Sequence, residues 1–248
     1  MSISIENLSL DLPIYSLASR SLRHKLLPAM VGGSIRAEKN KPVVVRALDG
    51  ISLNIEDGDR VGLFGHNGAG KTTFLRSLAG IYTPTSGTVK VQGRVSSIFD
   101  ISLGMDPEAT GDENVYLLGL SAGFSVDHIR ESRAQILEFA ELGDYINLPI
   151  KAYSAGMTMR LAFAVATSFQ PDVLLMDEWI AAGDASFMQK AEARLSEMMD
   201  NASVMVLASH SVGILKNFCN KVVVLSKGKV VFFGSFGEFE DNLPLFIP

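Results

Sequence analysis

Residues 59–73 read Asp59-Arg60-Val61-Gly62-Leu63-Phe64-Gly65-His66-Asn67-Gly68-Ala69-Gly70-Lys71-Thr72-Thr73. The first part is a compact apolar strand that runs into a glycine-rich loop. The loop fits G-x-x-x-x-G-K-[ST] at every fixed position, and beyond it Phe74, Leu75 and Leu78 recur at helix spacing until Gly80. Strand, glycine loop and helix in this order cradle phosphate. The glycines let the backbone wrap closely, so successive N–H groups point at phosphate oxygens, and the helix N-terminus adds favourable partial charge. Gly65 through Thr73 are therefore candidate nucleotide-binding residues. Lys71 is expected to bridge the β- and γ-phosphates of ATP, and the Thr72 hydroxyl to ligate Mg²⁺.

Downstream of Pro171 the chain alternates strand and helix: 173–179, 186–201, 204–209, 212–220 and 221–226. That alternation indicates a parallel sheet and an α/β fold. Asp177 ends the apolar run Val173-Leu174-Leu175-Met176. A carboxylate at the C-terminal end of a parallel strand lies beside the phosphate loop and can hold the Mg²⁺ shell. Glu178 follows it and can orient or deprotonate an attacking water. Without a phosphate loop upstream, the same two acids would read as a surface pair capping a strand.

The other half is less regular. Ile3, Ile5, Leu8 and Leu10 alternate as in a strand, residues 43–59 read as two short β segments ending in an acidic turn, and 87–99 return to strand. Roughly 105–165 reads as helical. Ile129, Ile136, Phe139 and Leu142 share a face there, and Ser154 is placed to cap a buried helix.

Composition bounds the function. Of 248 residues, 47% are hydrophobic, which excludes bulk disorder. No uninterrupted apolar run approaches the roughly 18–20 residues of a membrane span. The N-terminus lacks a basic-then-apolar leader, and a lone Cys219 allows no internal disulfide, which suits a reducing cytoplasm. The net charge of −5 hides an asymmetry. Residues 20–46 hold seven basic residues and one acid, a net of +6, which leaves −11 for the rest. With an acidic body and no aromatic-interleaved basic stripe, nucleic acid is not an expected partner.

Two more elements narrow the class. Tyr153-Ser154-Ala155-Gly156-Met157 opens a helix upstream of Asp177, and His210 stands in Ala208-Ser209-His210-Ser211 after an apolar strand. At this point the chain resembles the ATP-binding-cassette (ABC) family, whose signature reads Leu-Ser-Gly-Gly-Gln. Ser154 and Gly156 match it; Tyr153, Ala155 and Met157 depart; Arg160 matches a basic residue frequent just downstream. The resemblance implies a P-loop NTPase core with an N-terminal antiparallel β-subdomain and a helical subdomain near 105–165. The whole of 1–248 is then one ABC ATPase domain, with a short C-terminal extension at about 236–248 and no appended carbohydrate-recognition domain.

The resemblance also assigns roles. Ser154, Ala155 and Gly156 would hold the γ-phosphate of ATP bound to a second copy, in a head-to-tail dimer. In isolation the same residues read as a capped helix start with small side chains. His210 would contact the γ-phosphate and the catalytic water, and Asp184 in Ala181-Ala182-Gly183-Asp184 would reach across the interface. Asp100 stands where a Mg²⁺-contacting glutamine is usual, and Trp179 where a proline is. Tyr15 is the nearest aromatic for stacking on adenine, or equally a partly buried tyrosine at a strand end.

The wording between motifs, including Asp106-Pro107-Glu108-Ala109-Thr110-Gly111-Asp112-Glu113-Asn114, is similar to one subfamily. It comprises the ATPase subunits of exporters of lipid-linked O-antigen, capsule or teichoic-acid polymers. Such a subunit would sit on the cytoplasmic face of the bacterial inner membrane, held by a separate integral-membrane permease. An ABC ATPase for another export substrate or a non-transport assembly is the alternative, and a nucleotide-switched binding module without turnover a further one. The basic window 20–46 admits three readings: a solvated loop, a contact with anionic lipid or the permease, or a contact with the phosphate-containing head group of a polymer carrier.

Overall fold

In the computed structural model, residues 1–14, 34–36, 43–99, 101–178 and 185–246 are described. The alternation at the N-terminus makes strand β1 (Ser2–Ile14), with Ile3, Ile5, Leu8 and Leu10 all buried. A strict period of two would turn Leu8 outward after Ile5. A bulge at Glu6–Asn7, with Asn7 in the left-handed region at φ 49°, restores the inward face. The short β2 (Ser34–Arg36) pairs with β3 (Val43–Ile55), which also pairs with β1, both antiparallel. The sequence divides 43–59 into two short segments; the structure has one strand over 43–55. The apparent break is a pair of bulges near Ala47 and Asp49–Gly50, which kink the strand without ending it.

The apolar run before the glycine loop is β4 (Arg60–Phe64), and the helix after it is α1 (Lys71–Leu78). β5 (Ser86–Gln92) and β6 (Val95–Ile98) follow. The helical stretch contains α2 (Gly111–Ser121), α3 (Val126–Ala140) and α4 (Ala155–Ala166). Then come β7 (Val173–Asp177), α5 (Ala185–Asn201), β8 (Val204–Ala208), α6 (Val212–Phe218), β9 (Lys221–Ser226), β10 (Lys229–Ser235) and α7 (Phe236–Asp241). One sheet has the order β2-β3-β1-β5 and the other β10-β9-β4-β8-β7-β6. β4 lies parallel between β8 and β9, and β10 closes back antiparallel on β9.

The chain divides into two compact units. The first comprises Met1–Val95, Leu175–Glu178 and Ser203–Pro248; the second comprises Ser96–Leu174 and Trp179–Ala202, a wider span than the 105–165 read from the helical pattern. The second unit has its own core, in which Val115, Ile129, Ile136 and Leu161 are fully buried and Phe124 stacks on Phe169. In the first unit the segment after β10 is packed. α7 carries a capping box between Ser235 and Glu238, and its Phe239 is fully buried, edge-on to Phe64 at a centroid distance of 5.2 Å. Among the described residues, no helix is long and apolar enough to cross a membrane.

Candidate functional site

Parallel strands put their C-terminal ends at one edge of a sheet, so residues far apart in sequence meet there. The backbone shows this directly. The Ser209 N–H donates to the Leu63 carbonyl at 3.2 Å, and the Glu178 N–H to the Ala208 carbonyl at 2.9 Å. The ends of β4, β8 and β7 thus bring together Gly65, His210, Asp177 and Glu178.

The loop itself closes on α1. Gly70 precedes the helix in the left-handed region at φ 111°, and no side chain caps the helix start. Its first amides therefore remain available to an anion. Lys71 is buried, and its Nζ donates to the Gly65 carbonyl at 2.7 Å and the His66 carbonyl at 3.3 Å. Burial lowers the pKa of this ammonium, while the charges of Asp177 and Glu178 pull it back up. His66 Nδ1 lies 2.8 Å from the Asn67 carbonyl oxygen, and Asn67 and Gly68 are exposed at the loop tip. The Thr73 carbonyl accepts from Ser77 Oγ within α1.

Thr72 Oγ1 donates to Asp177 Oδ2 at 2.5 Å. A hydroxyl and a carboxylate side by side are hard oxygen donors. Among the described residues no group of three or more His, Cys, Asp or Glu gathers to hold a metal. That sparse set fits Mg²⁺, which is usually held by one or two protein oxygens together with substrate phosphates and water.

Next to this pair, Glu178 Oε1 lies 2.9 Å from His210 Nδ1, both side chains open to solvent. An ionised carboxylate only accepts, so in this contact Nδ1 is the donor. Glu178 has φ 65°, an uncommon conformation for a glutamate. Backbone strain of this kind concentrates at functional sites.

The second unit presents the Ser154 segment. Ser154 caps α4, its Oγ accepting from the Met157 N–H at 3.2 Å, and Ser154, Ala155 and Gly156 are all exposed. Among the described residues, a Cβ at Gly156 would meet only Ser154 Oγ, at 3.9 Å, so packing against them does not require glycine there. The departure at Tyr153 has a local reason. Its hydroxyl donates to the Tyr145 carbonyl at 2.7 Å, and it occupies the space that a side chain at Gly111 would need. The loop before α2 is tied down around it by Asn114. That fully buried side chain donates to the carbonyls of Asp106, Ala109 and Thr110 and accepts from the Asp106 N–H. Arg160 stacks over Phe187 at 5.0 Å and pairs with Glu141 at 3.7 Å, joining α4 to α5.

Tyr15, Asp100, Trp179, Asp184 and most of the 20–46 window lie outside the described residues. Of that window's basic residues, Arg46 is engaged inside the sheet. It holds Asp11 through Nε at 2.5 Å and Nη2 at 2.9 Å, and Asp49 through Nη1 at 3.1 Å. Its charge serves the fold and is not part of a free basic surface. Sequence reasoning missed Gly111 and Gly228, which make room for neighbouring backbone or ring; the only signal for Gly228 was a turn-like Ser226-Lys227-Gly228-Lys229.

Residues 48–181 match the family described as ABC transporter. The chain belongs to that family. It is 44% identical over 229 residues to an O-antigen export system ATP-binding protein, RfbE, of Yersinia enterocolitica, covering 92% of this chain and 96% of that one. It is 32% identical to a teichoic acids export ATP-binding protein, TagH, of Staphylococcus haemolyticus, over 98% of this chain and 87% of that one. An ABC cassette solved as a dimer in a post-hydrolysis state with ADP and Pi superposes with a TM-score of 0.65, covering 94% of this chain and 98% of that one. At 20% identity that likeness concerns the fold.

Proposed function

We propose that this chain is the ATP-hydrolysing subunit of an ABC exporter that moves a lipid-linked, O-antigen-like polysaccharide across the bacterial inner membrane. The observation that carries the chemistry is the convergence of Lys71, Thr72, Asp177, Glu178 and His210 at one sheet edge. The export reading is supported by 44% identity to an O-antigen export ATP-binding protein along nearly the full length of both chains. The similarity to a teichoic acids export protein keeps a second polymer class in view.

In this reading the loop amides and Lys71 hold the ATP phosphates, and Thr72 and Asp177 hold Mg²⁺, which neutralises phosphate charge. Glu178 orients the attacking water and takes up its proton, and His210 fixes the Glu178 carboxylate. Catalysis is then mostly positioning and charge stabilisation. Ser154, Ala155 and Gly156 of a second copy complete each site; their exposure and the open space at Gly156 suit the approach of a phosphate from outside the chain. Asp184, Asp100 and Tyr15 take the cross-interface, metal-contacting and adenine-stacking roles. The chain works at the cytoplasmic face, held there by a separate membrane-spanning permease. The basic 20–46 window, Arg46 apart, meets anionic lipid or the cargo head group.

The test is co-purification from membranes. ATP hydrolysis by a complex of this chain with a permease, and loss of surface polysaccharide in cells carrying Lys71→Ala, are the expected results. Normal surface polysaccharide with an inactive ATPase would refute the export role.

A further inference from the structure

The hairpin between β9 and β10 turns on two residues, Lys227 and Gly228, both left-handed, at φ 49° and 78°. Such a turn matches strand twist, but its first position is normally Asn, Asp or Gly. A lysine held there is an outlier that the surroundings must impose. Those surroundings are the phosphate loop on one side and β3 on the other. The buried Gly228 donates its N–H to the Ala69 carbonyl at 2.9 Å and accepts from the Asp49 N–H at 2.9 Å. The Asp49 N–H is free for this because the β3 bulge lifts it out of the ladder with β1.

Space is tight on both sides. A side chain at Gly228 would collide with the Ala47 carbonyl, and one at Gly65 with the Leu225 carbonyl just before the turn. Lys229 pairs with Asp49 at 3.3 Å, and Asp49 is held by Arg46 as well. A peptide unit is planar and trans, so pinning the Ala69 carbonyl fixes the opposite direction of the Gly70 N–H. That amide belongs to the loop that cradles phosphate.

We propose that the Lys227–Gly228 turn is a positioning element of the nucleotide site, setting the Ala69–Gly70 peptide against the bulged strand β3 so that nucleotide affinity depends on Gly228. This rests on the reading that residues 65–73 bind ATP phosphates. Gly228 touches no reacting atom, so its loss should weaken binding more than turnover.

The decisive comparison is Gly228→Ala against Gly58→Ala. Gly58 has a similar φ of 83°, but among the described residues nothing lies within 4 Å of where its Cβ would stand. With a fluorescent ATP analogue and Mg²⁺, Gly228→Ala should lose about tenfold in affinity, with KM rising in parallel and kcat within about twofold; Gly58→Ala should leave affinity and KM within about twofold. Equal affinities for wild type and Gly228→Ala would overturn the inference while leaving nucleotide binding intact. A wild type that binds no nucleotide would overturn both readings. Should Gly228→Ala fail to fold, hydrogen exchange on the wild-type chain decides. Added MgADP should slow exchange at the Gly228 and Asp49 amides as well as in the loop, and unchanged exchange at both would defeat the proposal.

Discussion

Glu178 at the end of β7 and His210 just beyond β8 face each other at 2.9 Å, carboxylate to imidazole Nδ1. The contact needs β7 and β8 to end side by side, which the Glu178 N–H to Ala208 carbonyl bond secures. Glu178→Gln keeps the side-chain length and the acceptor oxygen but removes the base. It should bind MgATP with near-normal affinity and hydrolyse it at least about 100-fold more slowly, measured by phosphate release. Turnover within about twofold of wild type would exclude Glu178 as the base.

Thr72 Oγ1 and Asp177 Oδ2 share a hydrogen bond. Thr72→Val removes the hydroxyl with little change in volume. The Mg²⁺ concentration for half-maximal hydrolysis should rise about tenfold, and Asp177→Asn should raise it further. A Mg²⁺ titration unchanged by both substitutions would remove this pair from the metal site.

Gly111→Ala places a methyl group against the Tyr153 hydroxyl and Ile146. It should destabilise the helical unit by about 1–3 kcal/mol, read by urea denaturation. Tyr153→Phe relieves that collision at the cost of the bond to the Tyr145 carbonyl. Alone it should cost about 1 kcal/mol, and in combination it should recover part of the Gly111→Ala loss. Strict additivity of the two would show that they do not touch.

Cys219 is buried beside Gly62, and burial pushes its thiol pKa up to about 12. The folded state therefore holds the proton more tightly than the unfolded chain. This contribution is whole below the unfolded thiol pKa of about 8.5 and is lost as pH rises toward 12. Wild type should lose stability faster than Cys219→Ala over that alkaline range, and native protein at pH 8 should resist iodoacetamide. Rapid native alkylation would contradict the buried placement.

Much of the fold and of the first unit's site was legible because the signals are local. Gly65 through Thr73 announce a loop between a strand and a helix, and the cap at Ser154 and the apolar faces of α1 and α3 follow from short-range signals. The bulges of β1 and β3 were not legible. They depend on which residues oppose each other across strands, so 43–59 reads as two short segments ending in a turn. Nor was the fate of 87–99: β5 joins the antiparallel sheet beside β1 while β6 joins the parallel one, though both read alike as strand. Arg46 falls in the basic window by sequence, whereas the fold sets Asp11 and Asp49 against it.

By itself the sequence determined the local parts: a glycine-rich loop between strand and helix, a strand-end acid pair, a histidine after a strand and a capped serine. Each of these rests on a few neighbouring residues whose types and spacing set local geometry. The tertiary structure alone decided the distances that join them. Strand order puts Asp177 against Thr72 and His210 against Glu178. A hairpin near the far end of the chain pins the Ala69 carbonyl. The strand pairing and the hairpin bond are made by backbone groups that nearly every residue carries, so residue type leaves almost no trace of them, and only packing reveals which partner each group found.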